Sequence, residues 1–231
     1  MTPTTGGTWA IVDTKSVSFG NSSSVTVVSP VFAAGAAQGD LVVGIIAWDP
    51  GAGDTISLSS VTDNGTGTSN TWNVVGGTSM TIGQQRAAAI WCVNQRNAGT
   101  LTTVTGTFST STPWRAILVR EYSGNAASPL DGSNTSGPTT HTQATDNLTS
   151  GTFTPAVDGG LVVGLNYYYA VNGTLAAGTG FGNFTEETAF VHLAIEHFIQ
   201  TTAAQTAVTF TDAGGTSGRE NITFGFAFKK Q

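Results

Sequence analysis

Charged residues, and basic residues above all, are scarce in this chain. Only 10 % of its 231 residues are charged, with eight Lys and Arg against fourteen Asp and Glu, for a net charge of −6. Proteins that bind nucleic acid concentrate basic residues on one face in order to displace the counterions of the phosphates. The basic residues of this chain are scattered along the sequence. The composition therefore excludes a nucleic-acid partner and, for the same reason, an anionic membrane surface.

Cysteine and long hydrophobic runs are also nearly missing. The single cysteine, Cys92, lies in an apolar run with no basic residue beside it, so we expect a buried and unreactive thiol. The longest apolar run, Leu41 to Trp48, is far shorter than the ~18 residues that cross a bilayer. The first residues lack the basic and apolar regions of a secretory signal. We expect a soluble protein that is a mature product or leaves its cell without a signal peptide.

Motifs for catalysis, cofactors and metals are missing as well. There is no G-x-S-x-G nucleophile motif and no P-loop, and the Gly178 to Gly182 stretch departs from the dinucleotide pattern at Asn183. Of the three histidines, His192 and His197 share one predicted strand, where an odd offset places them on opposite faces. They therefore cannot chelate one zinc ion. We predict no enzymatic activity, no cofactor and no metal site, with a calcium ion in a loop as the alternative for a metal.

The residues that are abundant are those of β-strands and turns. Thr, Ser, Asn and Gly separate short apolar runs, and helical periodicity is almost absent. From Asn221 to Phe228 large apolar residues occupy every second position, which is typical of a strand packed against a core. We predict that the following apolar side chains are buried: Ile45, Ile90, Leu118, Ile195, Phe224 and Phe226.

Two halves of the sequence resemble each other. The run Gly39-Asp40-Leu41-Val42-Val43-Gly44 returns as Gly159-Gly160-Leu161-Val162-Val163-Gly164, and the run starting at Ala89 is aligned with the one starting at Ala194. The predicted fold class is all-β, a two-sheet antiparallel β-sandwich of jelly-roll type with two similar halves. We predict a single domain over residues 1–231, with a pseudo-repeat of 24–122 and 147–228 and a connecting loop over 123–146.

The central strands pose a packing question. A strand with one face in water alternates apolar and polar residues. Leu41 to Trp48 is apolar at every position, and Leu161 to Leu165 repeats the pattern. The second face must be covered, either by the chain's own termini and the 123–146 loop or by a neighbouring subunit. In the second case the neighbour would be another copy of the chain, as a dimer or trimer.

Several aromatic residues are candidates for contact with a partner. Three consecutive tyrosines on one strand place at least one ring on the face away from the core, and several tryptophans lie near strand ends. Tyr and Trp dominate contact surfaces for proteins and sugars. The candidate contact residues are Tyr167, Tyr168, Tyr169, Trp9 and Trp114, with packing in the core or at its rim as the alternative.

Three groups of residues carry a resemblance to a known type of domain: Gly39 to Val43, Ser60 to Gly65 with Trp72, and Glu121 to Gly124 with Pro129-Leu130-Asp131. Over roughly residues 35 to 230 the chain resembles β-sandwich domains of bacteriophage virion proteins and bacterial surface proteins.

The resemblance implies a non-enzymatic virion structural protein, such as a phage capsid decoration protein or a minor head or tail component. Its partners would be other virion proteins or copies of itself, and its location the virion. The alternative is an extracellular or cell-surface adhesion or carbohydrate-binding module that contacts a glycan.

Overall fold

The chain folds into β-strands joined by turns. A computed structural model describes residues 8–51, 53, 55–82, 85–143, 147–169, 175–212 and 219–231, with side chains for all of these except 77–82, 132–143, 147, 169 and 219–220. The described residues form sixteen strands and no helix. In chain order the strands are β1 (Ala10–Phe19), β2 (Ser24–Val28), β3 (Leu41–Trp48), β4 (Leu58–Asp63), β5 (Asn73–Ile82), β6 (Gln85–Val93), β7 (Val104–Thr112), β8 (Arg115–Ser123), β9 (Asn125–Gln143), β10 (Asn147–Phe153), β11 (Gly160–Tyr169), β12 (Leu175–Ala177), β13 (Gly182–Glu187), β14 (His192–Gln200), β15 (Thr206–Asp212) and β16 (Arg219–Lys230).

The strands form four antiparallel sheets, two in each half of the chain. The first eight strands make a five-stranded sheet in the order β1-β8-β3-β6-β5 and a three-stranded sheet in the order β2-β7-β4. The last eight make β9-β16-β11-β14-β13 and β10-β15-β12, which is the same pair of orders with eight added to each strand number. This interleaving is that of a jelly roll. The predicted all-β antiparallel sandwich is therefore confirmed, with four sheets in place of the expected two.

The register of the central strands matches in the two halves. Gly44 on β3 lies opposite Ile90 and Val119, and Gly164 on β11 lies opposite Glu196 and Gly225. The two Gly-x-Leu-Val-Val-Gly runs thus occupy equivalent strands.

The sequence alignment of β6 with β14, which matched Ala89 to Ala194, was wrong by one residue. The register places Ile195, and not Ala194, at the position of Ala89. A slip of one residue moves every side chain to the opposite face of the sheet, so the core, and not the local similarity of small apolar residues, decides the alignment.

The two five-stranded sheets pack face to face and share one core. Leu41, Val43 and Ile45 from β3 contribute to this core together with Leu161 and Val163 from β11. The alternate residues of each strand, such as Val42 and Val162, face a second core that lies between the five-stranded and three-stranded sheets of the same half. The molecule is thus a stack of four layers. The six residues predicted to be buried are all at most 1 % exposed, which confirms that prediction.

This stack answers the packing question of the central strands. β3 and β11 are apolar on both faces because each lies inside the stack, between its own small sheet and the other half of the chain. The second face of β3 is covered within the chain by the second half, including the C-terminal strand β16 and Leu130 of the 123–146 segment.

The segment 123–146 was predicted to be a connecting loop and instead contains strand β9. It pairs antiparallel with β16 along most of its length, with three register shifts. Its many Thr, Ser and Asn residues predicted a loop. They are compatible with a strand here because β9 lies at the edge of its sheet, where one side of the strand is unpaired and polar residues are tolerated. The equivalent units consequently begin at β1 and β9, earlier than the predicted boundaries at 24 and 147.

Candidate binding groove

A groove lies where the first half of the chain meets the start of β9. It encloses 340 Å³. One wall comes from the first half and the other from residues 127–130 of β9. The residues that line it are Thr71, Trp91, Val93, Gln95, Ala127, Ser128, Pro129 and Leu130. None of these side chains is charged, so the groove offers an aromatic ring, aliphatic carbon, one amide and two hydroxyl groups.

Trp91 owes its position to the alternation of β6. Its neighbours Ile90 and Cys92 point into the core of the first half, whereas Trp91 points toward the core shared by both halves. It stands near the end of the strand, and its indole is only half-buried. The ring packs edge-on against Phe228 of the second half, with centroids 5.7 Å apart and planes at 70°. The second half thereby orients the indole in the groove.

A carboxylate holds the rest of this wall. Asp63 accepts hydrogen bonds from Arg96 Nε at 2.6 Å, from Trp72 Nε1 at 3.1 Å and from Asn70 Nδ2 at 3.0 Å. Asn70 in turn accepts a hydrogen bond from the Gln95 backbone N–H at 2.6 Å. The ion pair is short and its carboxylate is 1 % exposed. This network fixes the backbone that carries the polar side chains of the first wall before any ligand arrives.

The opposite wall is fixed at both ends. Asn125 donates from Nδ2 to the carbonyl of Gly39 at 2.9 Å. Asp131, which is 2 % exposed, accepts hydrogen bonds from the N–H groups of Ala156 at 2.7 Å and Val157 at 3.3 Å. Leu130 between them packs partly against the shared core. The wall is therefore a rigid strand end and not a free loop.

Three of the predicted contact residues are buried, which corrects that prediction. Tyr167 belongs to the shared core and Tyr168 to the core of the second half, and each is 1 % exposed. Trp9 is 7 % exposed and donates from Nε1 to the carbonyl of Gly159 at 3.1 Å, which links the two halves. Alternation does send consecutive tyrosines to opposite faces of β11, but both faces of that strand are covered.

The remaining two predicted contacts have different outcomes. The side chain of Tyr169 lies outside the described residues. Trp114 is half-buried and packs edge-on against Phe190, which is 54 % exposed, with ring centroids 6.2 Å apart. Gly20 lies directly beneath this pair, since a Cβ there would stand 2.5 Å from Trp114 and 2.6 Å from Phe190. Trp114 thus reaches the surface, at the end of β8 opposite to the groove.

The histidines and the cysteine behave as strand residues. His192 contacts Glu186 Oε1 through Nδ1 at 2.9 Å. His197 lies on the opposite face of β14 between Tyr122 and Asn183, as the strand parity predicted, and burial lowers its pKa to about 4. Cys92 is fully buried, and burial raises the pKa of its thiol.

Among the described residues no cluster of three metal-ligating side chains occurs. In the same part of the chain no helix has the length and apolar character of a membrane span.

Two features of the groove were not identified in the sequence. Trp91 was grouped with the buried strand around Cys92, although the odd positions of that run, Ala89, Trp91 and Val93, form a separate face. The second wall was assigned to a loop. Alternation along β6 was enough to predict that Trp91 lies on a different face from Ile90 and Cys92. The strand that completes the groove comes from the other half of the chain, and no local sequence pattern predicted it.

Comparison of the chain with protein-family models, with curated proteins and with solved structures gave no significant match. The resemblance to phage virion and bacterial surface β-sandwich domains therefore stays a prediction.

Proposed function

We propose that this protein is a non-enzymatic binding module whose groove takes a neutral sugar unit of a glycan. The observation that carries this proposal is the groove, whose described lining is uncharged and includes the half-buried indole of Trp91. A volume of 340 Å³ lies at the lower end of the range for small-ligand sites and suits one or two sugar rings.

The lining matches the two sides of a sugar. The C–H face of a pyranose is apolar and can lie on an aromatic ring, while the hydroxyl groups at its edge need hydrogen-bond partners. Gln95 supplies both a donor and an acceptor, and Thr71 and Ser128 supply hydroxyl groups. Among the described residues that line the groove there is no carboxylate, imidazole or thiol, and hence no group for general acid–base catalysis near neutral pH. The same described lining contains no cation, which argues against an acidic sugar.

A glycan array followed by calorimetric titration of the best ligand tests the proposal. Trp91→Ala should weaken binding at least about tenfold, because a central aromatic residue carries most of the energy of such a contact. Trp114→Ala is the matched control, since it removes a half-buried tryptophan far from the groove and should leave affinity unchanged. Binding that disappears with Trp114 and survives without Trp91, or no binding to any neutral glycan, would refute the proposal.

A role as a virion structural component, such as a capsid decoration protein or a minor head or tail protein, is the second candidate. It is favoured by apolar side chains exposed on and after the edge strands β1 and β2, where free backbone groups could pair with a neighbouring copy or another virion protein. The exposed residues are Ile11, Val12, Val25, Val28 and Val31. Jelly rolls serve both in capsids and in lectins, so the fold is compatible with either role and with a virion or an extracellular location.

Sedimentation tests the second candidate together with mass spectrometry of particles. A structural component should form oligomers that the double substitution Val25→Lys and Val28→Lys dissociates, and it should be present in purified virions. A monomer at high concentration that is missing from particles would exclude this role.

A further inference from the structure

The groove is lined by more aliphatic carbon than a plain hexose can use. Trp91 alone offers a surface for the C–H face of a sugar ring. Four aliphatic side chains line the groove as well: Val93, Ala127, Pro129 and Leu130. The side groups of a hexose ring all end in hydroxyl groups, and a hydroxyl group placed against aliphatic carbon loses its hydrogen bonds with water. The lining therefore favours a sugar that carries an apolar group beside its ring.

Val93 is placed to receive such a group. Trp91 and Val93 are successive side chains on one face of β6, so they stand about 7 Å apart. Both are half-buried, and Leu130 lines the opposite wall. The separation is comparable to the reach of an acetyl methyl group from the centre of an amino-sugar ring. A ring stacked on Trp91 can therefore bury this methyl group against Val93.

The side-chain amide of Gln95 is available to a ligand on the same wall. The backbone of this residue is fixed, because its N–H donates to Asn70 Oδ1 at 2.6 Å and its carbonyl accepts from Gln38 Nε2 at 3.4 Å. The side chain is exposed and makes no hydrogen bond with another residue of the described part of the chain. Gln95 thus presents a free donor and a free acceptor from a fixed backbone.

The opposite wall supplies a second polar group, which suits an amide. The N–H and the carbonyl of a secondary amide point in opposite directions, because the group is planar and trans. Such an amide needs one partner on each side. Gln95 on the first wall and Ser128 on the second each offer a donor and an acceptor, so an amide that lies across the groove is satisfied at both ends.

We propose that the groove selects sugars that carry an acetamido group, with the methyl group on Val93 and the amide between Gln95 and Ser128. The uncharged lining favours this neutral form over the free amino sugar, whose ammonium group would find no carboxylate among the described lining residues. The inference rests on the proposed function, because it names the class of sugar that the same groove binds.

Calorimetric titration with matched sugars tests the proposal. Diacetylchitobiose and cellobiose share their ring configuration and linkage and differ only in acetamido against hydroxyl groups. The methyl glycosides of N-acetylgalactosamine and galactose form a second pair. In at least one pair the acetamido sugar should bind about tenfold more tightly or better, because it buries a methyl group and pairs an amide. Deacetylated chitobiose and methyl fucoside, which has a methyl group but no amide, should bind no better than the hexoses.

Two substitutions in the lining locate the preference. Val93→Thr keeps the size of the side chain but places a hydroxyl group against the acetyl methyl group, and Gln95→Ala removes the exposed amide. Each should lower the affinity for the acetamido sugar about tenfold and leave the affinity for the matched hexose unchanged. Val74→Thr is the matched control, since it makes the same change at a position on β5 that is 46 % exposed and does not line the groove. Should Val93→Thr fail to fold, Gln95→Ala decides.

The results separate this inference from the proposed function. Equal binding within both pairs, tighter binding of the fucoside than of the acetamido sugars, or a preference that survives both lining substitutions would overturn the inference and leave a general sugar site in place. Loss of the preference in either substitution, with the control unchanged, supports it. Failure of every neutral sugar to bind would refute the proposed function and this inference with it.

Discussion

At the scale of single residues, the two halves differ most where one of them buries a charged group. Glu196 on β14 occupies the position that Ile90 holds on β6, and it is completely buried. One of its oxygens accepts a hydrogen bond from the N–H of Gly178 at 2.8 Å, and the other has no partner among the described residues. Burial raises the pKa of Glu196 to about 8, so the group is mainly protonated at neutral pH.

This residue makes stability depend on pH. The folded chain holds the proton of Glu196 up to about pH 8, whereas the unfolded chain releases it near its ordinary pKa of 4.5. Stability from this group is therefore complete below about pH 4.5 and is lost as pH rises to about 8. Glu196→Gln should be more stable than the native chain by roughly 2–4 kcal/mol at pH 9 and nearly equal to it at pH 4, as measured by urea unfolding. The same difference at both pH values would contradict this prediction.

His197 acts in the opposite direction. It stays neutral between Tyr122 of the first half and Asn183 of the second because its pKa is lowered to about 4. The stability that it contributes is present above its ordinary pKa of 6.5 and is lost as pH falls toward 4. NMR titration of its imidazole should show no protonation above about pH 5, and a midpoint near 6.5 would contradict the buried contact.

At the scale of elements, the last glycine of each repeated run is required by close packing. A Cβ on Gly44 would stand 2.3 Å from the Leu118 carbonyl oxygen, and one on Gly164 would stand 2.4 Å from Val208 Cγ1. The similarity of the two runs therefore extends to a steric requirement on a central strand of each half.

Alanine at either position should force the neighbouring strand or side chain to move. We expect Gly44→Ala and Gly164→Ala each to lower the free energy of unfolding by roughly 1–3 kcal/mol. Gly182→Ala is the control, since a Cβ there meets nothing within 4 Å and should change stability by less than about 0.5 kcal/mol. Denaturant unfolding of the three variants checks the comparison. Three equal losses in the free energy of unfolding would contradict the prediction that contact of the added Cβ with its neighbours determines the effect.

At the scale of the whole molecule, the core between the two five-stranded sheets couples the halves. Phe224 of β16 is completely buried there, and its ring lies close to Gly76 of β5 in the first half. If one half unfolded alone, the other half would lose its contacts with this ring. The two jelly rolls should therefore unfold together, in spite of their equivalent topology.

Phe224→Ala tests this coupling. It should lower stability by ~3–5 kcal/mol while unfolding stays a single transition that abolishes protection in both halves at once. Val74→Ala, at a position 46 % exposed on β5, should have little effect. Two separate transitions followed by calorimetry, or a loss below about 1 kcal/mol, would show that the halves are independent.

The sequence alone determined those properties that depend on neighbouring residues. Alternation in β16 identified its buried face, strand parity separated His192 from His197, and the apolar runs around Val42 and Val162 showed that both faces of those strands are covered. These inferences hold because side chains of a strand point to opposite faces in strict alternation, whatever the rest of the chain does.

Only the tertiary structure decided what covers those faces and where a ligand could bind. The partner sheet of β3 comes from residues far away in sequence, and β9 reads as a polar loop until its pairing with β16 is seen. The packing of the two five-stranded sheets buries Tyr167, and the pairing of β9 with β16 completes the wall opposite Trp91. Long-range pairing depends on the fit of whole sheets, and no local pattern records it, so neither the groove nor the burial of the tyrosines could be derived from the sequence.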